Sequence, residues 1–93
     1  MDEMLINKLF IDGEYEKVVS RVESDIAGKT NVAEEMLYKL FISAALTGDD
    51  DARSEAVSLI IEQFGNVNRE KLTDIARGHM DERMIEASLT SKE

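Results

Sequence analysis

The sequence contains no cysteine, so no disulfide can staple the fold, and the chain suits a reducing cytoplasm. It contains no proline, which leaves its breaks to the five glycines, at 13, 28, 48, 65 and 78. Basic residues are scarce. Eleven Lys and Arg stand against 20 Asp and Glu, a net charge of −9 spread along the chain. Such a field repels phosphate backbones and anionic head groups, so nucleic acid and membrane surfaces are poor partners and a neutral or basic polypeptide is favoured. The same acidity also keeps a small protein soluble whatever it binds. The longest strongly apolar stretch, Leu40 to Leu46, is interrupted by Ser43 and is far too short to span a bilayer. Met1-Asp2-Glu3-Met4 lacks the basic flank and cleavage site of a secretory signal, so the expected location is the cytoplasm. No segment alternates with period two over a useful length, which leaves an all-α fold.

What is present is a set of helix-length segments whose apolar residues recur at steps of three and four. Ninety-three residues with 43% apolar content suffice for one small domain over 1–93. Such a domain buries only about 60–65% of the surface of its unfolded chain, so its stability margin is thin. The spacing predicts helices near 2–11, 14–27, 32–46, 50–64, 69–77 and 80–89, in hairpins of about 2–27, 32–64 and 67–89. Residues 90–93 are expected to fray. The expected inward residues of the second helix are Tyr15, Val18, Val19, Val22 and Ile26, with Gly28 as a left-handed C-cap. Asn31 is the expected N-cap of the third helix, on which Glu35 and Lys39 form an i,i+4 pair. The fourth is expected to turn Ala52, Ala56, Val57, Ile60 and Phe64 inward, and Asn68 to cap the fifth.

Candidate chemistry is thin. Asp49-Asp50-Asp51 resembles a calcium loop until positions are counted: Arg53 and Ala56 occupy places that need a ligand and a glycine. Three carboxylates at a helix start serve better by meeting its free amides and dipole. His79, the only histidine, follows Gly78 at a helix break, where it can meet terminal carbonyls. It has no nucleophile beside it, and one histidine makes no typical zinc site. Carboxylate pairs such as Glu34-Glu35 and Asp81-Glu82 are what solvated faces of an acidic chain carry. There is no glycine-rich phosphate loop and no nucleophile elbow. The expectation is therefore no enzyme, no metal and no cofactor. The methionines, including Met4, Met36, Met80 and Met84, suit either core gaps or an adaptable binding surface.

One phrase half-repeats. Gly13-Glu14-Tyr15-Glu16-Lys17-Val18 and Gly48-Asp49-Asp50-Asp51-Ala52 stand 35 residues apart, each between two amphipathic segments. Glycine-acidic turns at that spacing mark stacked helical hairpins, which build curved surfaces that hold another polypeptide. The first phrase resembles the hairpin junction of tetratricopeptide repeats. Aligned on it, Leu5, Ile6 and Leu9 take packing positions of a first helix; aligned on Gly48, Leu37, Leu40, Phe41 and Ala44 do the same. Val18 and Asp25 depart from small residues usual there, the terminal proline is missing, and the third hairpin barely fits the pattern.

The chain as a whole is similar to the YscG-type chaperones that guard needle subunits of bacterial type III secretion systems. That resemblance implies a short right-handed solenoid of about three hairpins whose concave groove cups the C-terminal amphipathic helix of a needle subunit. A second small helical cochaperone packs alongside, in the bacterial cytoplasm. The alignment directs Phe10, Tyr38, Ile42 and Ala45 toward the groove, with Asn7 and Glu35 at its polar margin. Helix-in-groove recognition wants an apolar floor of this kind. Two other readings fit the residues: an acidic antitoxin or regulator that neutralises a basic protein, and a structural homodimeric bundle.

Overall fold

The two repeated glycine phrases fold alike. In a computed structural model describing residues 3–28 and 31–90, Gly13 has φ +80° and Gly48 φ +77°. At the first turn the Gly13 N–H donates to the Phe10 carbonyl and the Glu14 N–H to Leu9, at 3.1 and 2.9 Å. At the second, Gly48 donates to Ala45 and Asp49 to Ala44, at 3.4 and 2.9 Å. Both are Schellman closures, in which a left-handed residue lets two amides reach back to the last carbonyls. They end helices α1 (Glu3–Ile11) and α3 (Glu34–Thr47), and α2 (Tyr15–Ala27) and α4 (Asp50–Phe64) follow. The remaining helices are α5 (Arg69–Ala76) and α6 (Glu82–Thr90), and no strand occurs among the described residues. The expected loop at Lys29-Thr30 and most of the expected frayed tail, 91–93, lie outside the described residues.

Several boundaries differ from expectation for local reasons. Gly28 has φ −80° and ψ 2°, so it closes α2 without the left-handed turn. Its N–H still bonds the Ser24 carbonyl in helical register, and the helix simply runs out. Asn31 does not cap α3. Val32 is buried in the same cluster as Leu37, so the chain runs extended through Ala33, φ −65° and ψ 152°, and the helix starts at Glu34. Asp49 caps α4 as an acidic start should, its Oδ1 accepting the Ala52 N–H at 3.1 Å, and Asn68 caps α5 by accepting from Lys71. The last helix starts late because Asp81 accepts the Met84 N–H at 2.9 Å, while Met80 before it is buried.

Helix α3 organises the core. Apart from Lys39, every residue from Met36 to Ala44 is buried, and the helix packs against α1, α2, α4 and α5. A helix apolar on all sides needs neighbours on all sides, and the core sits around it. Helix α4 approaches through the small residues Ala52 and Ala56 and through Ile60. Phe64, expected inward, is exposed together with Ile61. The chain turns at Gly65 and the next helix, α5, packs on α3, so the last turn of α4 stays uncovered. Arg53, almost fully buried, donates to the Ser88 carbonyl at 2.8 Å and ties the end of α6 to the start of α4. No helix among the described residues is long and apolar enough to cross a membrane.

Candidate partner-binding site

The six residues expected at the groove come from α1 and α3, which pack against each other. Asn7 bridges them: half-buried, it accepts a hydrogen bond from Lys39 Nζ. That contact takes the ammonium away from the expected partner, exposed Glu35, whose charge still acts on it at a distance; burial, the larger effect, pulls the Lys39 pKa down. Ala45 is half-buried and Phe10 is buried. Tyr38 and Ile42 have no exposed surface at all. Phe10, Tyr38 and Ile42 therefore do not line an open groove. They are the floor of a face that the chain itself covers.

Against Tyr38 and Phe10 lie the start of α5 and the turn that follows it. Tyr38 Oη accepts the Asn68 N–H at 2.8 Å and donates to Glu34 Oε2 at 3.1 Å. Glu34 Oε1 meets Lys71 Nζ at 2.9 Å. That ion pair lowers the Glu34 pKa and raises the Lys71 pKa, and burial raises the Tyr38 pKa. Between these polar contacts, Leu72 and Ala76 are completely buried and Met80 nearly so. Beyond the helix, His79 lies on Phe10, ring centroids 4.1 Å apart, with Nδ1 2.7 Å from Tyr15 Oη. Burial and nearby Lys39 lower its pKa. His79 thus joins the third pair of helices to the first, a long-range contact that its position after Gly78 did not announce.

Elsewhere the surface is irregular. An open cavity of about 470 Å³ separates α5 from α6, lined by Arg69, Thr73, Arg77, Glu82, Ile85 and Glu86 among others. Another, of about 410 Å³, runs between α1 and α2 over Leu5 and Leu9, with Lys17 and Arg21 on its rim. On the opposite helices, Glu23 of α2 meets Glu55 of α4. Burial, the Glu55 carboxyl, and the charges of Asp49 and Asp51 push the Glu23 pKa up to about 7. Large apolar side chains stand in water in two sets: Met4 (84% exposed) with Ile11 (73%) on α1, and Ile61 with Phe64 on α4. Met84 on α6 is a further one, so of the two last methionines only Met80 joins the core. The load-carrying contacts at Arg53 and at the Tyr38 hydroxyl left no mark in the sequence pattern.

Comparison with protein-family models, curated proteins and solved structures finds no match to this chain. Fold and site define a small, all-α, acidic protein with one helical face closed by its own chain and with apolar side chains exposed on its outer helices.

Proposed function

We propose that this protein is a cochaperone that sequesters the amphipathic helix of an aggregation-prone polypeptide, a needle subunit of a bacterial type III secretion system, in company with a second small helical protein. In this reading, the hairpins α1–α2 and α3–α4 are two units of a tetratricopeptide-like array, α5–α6 an irregular third, and the guest belongs on the side of α1 and α3. The mechanism is masking of an apolar helix face until export, with no covalent step. The observation that carries the reading is the pairing of exposed apolar residues at two places, Met4 with Ile11 on α1, beside the guest, and Ile61 with Phe64 at the end of α4, where the second small protein packs in this reading. They are seven and three residues apart, so each pair shares one helix face. Large apolar side chains left in water on a protein this small and this acidic suit a chain that is normally covered by a partner.

Purification of the tagged protein from its native host, followed by mass spectrometry, tests this. The expected companions are a small helical protein and a needle-like subunit, held through moderate salt. Double substitution of Ile61 and Phe64 to Ser should reduce their recovery while the circular dichroism spectrum stays helical. Recovery of a basic toxin, released by salt, would replace this reading with an acidic regulator, and a stable homodimer without companions would replace it with a structural role.

A further inference from the structure

We propose that the face formed by α1 and α3 is a helix-docking site that α5 occupies in cis, and that a partner takes the site by supplying a helix built like α5. The proposal rests on reading this protein as a helix binder. Three observations carry it. First, a separate short helix and its following turn add to what the hairpins already bury on that face. Helix α5 packs on α3, the Asn68 amide ahead of it bonds the Tyr38 hydroxyl, and His79 after it stacks on Phe10, which Tyr15 also meets. A helix of eight residues is too short to hold its shape alone, so α5 owes its conformation to the surface it lies on.

Second, the fastenings are few and mostly at the water boundary. The Lys71–Glu34 pair is partly exposed, with side chains 40% and 23% accessible, and such pairs add little net stability. Among the described residues, the Asn68 amide on Tyr38 and the Tyr15–His79 contact also join this segment to the face. Behind α5, the open cavity toward α6 leaves its outer side thinly packed. A short segment held by few polar bonds and open along one side is the kind that opens locally.

Third, α5 spells out what the face selects. Leu72 and Ala76, one turn apart, are completely buried on a helix that packs on α3. Lys71, next to that stripe, meets Glu34, and the amide ahead of the helix meets the Tyr38 hydroxyl. The partner is therefore an amphipathic helix with a Leu-x-x-x-Ala stripe or its equivalent and a basic residue immediately before it. The protein's net negative charge attracts the same kind of segment.

The probe is a fluorescein-labelled synthetic peptide of residues 66–80, added to the full-length chain and read by fluorescence anisotropy. If α5 covers its site in about 99% of molecules, the apparent affinity of the wild-type chain is about 100-fold below that of the open form. The Leu72→Asp chain, whose own α5 has lost its anchor, is expected to bind the wild-type peptide at least tenfold more tightly than the wild-type chain does. A peptide carrying the same substitution should bind neither. Equal binding by the two chains overturns the proposal. Should the variant fail to fold, hydrogen exchange on the wild-type protein decides. Amides of 72–76, which all have helical acceptors, are expected to show protection at least tenfold below those of 38–44, and a shared protection factor overturns it. Recovery of a needle-like client alongside a negative result here would leave the chaperone reading intact and move its docking face elsewhere.

Discussion

Tyr38 separates a closed fold from an open cup more sharply than any other position. Its ring has no exposed surface, and its hydroxyl accepts one hydrogen bond and donates another. Tyr38→Phe keeps the ring and leaves the Asn68 amide without its acceptor, a loss of about 1 kcal/mol. Tyr38→Ala removes the ring as well, and truncating a buried aromatic costs about 3–5 kcal/mol because neighbours collapse only partly into the space. In a domain of this size each kcal/mol lowers Tm by roughly 4–8 °C. The expected falls are therefore about 5 °C for Tyr38→Phe and at least ~12 °C for Tyr38→Ala, which would leave the latter marginal at growth temperature. Urea unfolding followed by circular dichroism at 222 nm measures both, with unchanged m-values confirming that the same surface is exposed on unfolding. A Tyr38→Ala protein that is folded and within about 1 kcal/mol of wild type would refute the reasoning. In that case the ring could not lie in the core beneath α5.

Glu23→Gln tests the carboxylate cluster. A pKa raised from 4.5 to about 7 means that the folded state holds this proton more tightly than the unfolded state. The group therefore subtracts stability as pH rises through that window, opposite to an ion-paired carboxylate. After discounting for its partial exposure, the variant should gain about 1 kcal/mol at pH 7.5 and nothing at pH 4; equal urea midpoint shifts at both pH values would contradict the assignment. Ser43→Ala removes a buried hydroxyl whose oxygen has no hydrogen-bond partner, and should raise stability by about 1 kcal/mol in a thermal melt. Gly48→Ala meets no steric obstacle but forces a left-handed backbone on alanine, so it should cost about 1–2 kcal/mol. Gly28→Ala, at φ −80°, should instead be neutral or add about 0.5 kcal/mol, and a matching loss at both sites would show that the two turns are alike.

The helices were legible because each carries its period and its punctuation. Glycine after α1 and α3, Asp49 before α4 and Asn68 before α5 act through bonds to amides or carbonyls a few residues away, and such signals are written locally. Asn31 misled because its type allows a cap without requiring one, and burial of Val32 chose a different start; Gly28 does close α2, but without the left-handed turn. Phe10, Tyr38 and Ile42 are buried for a deeper reason. Tyr38 and Ile42 lie on the side of α3 opposite its richest stripe, and an apolar residue there serves equally to receive a guest or to receive the chain's own fifth helix. Residue type cannot distinguish those occupants. The choice is made by Asn68, Lys71 and His79, which lie 30 or more residues further along and reach Tyr38, Glu34 and Tyr15 only in the folded chain. Phe64 follows from the same event: once α5 packs on α3, the end of α4 has nothing over it.

The all-round burial of α3 bears on how the protein is made. During synthesis α1 and α2 emerge first and can shelter one flank, but the flanks destined for α4 and α5 wait for about 30 more residues, on the order of 2–6 s at ordinary elongation rates. For that interval the stretch from Met36 to Leu46 is the stickiest part of the nascent polypeptide. The many carboxylates on either side of it then repel neighbouring nascent copies, so the acidity of the chain guards its birth as well as its solubility.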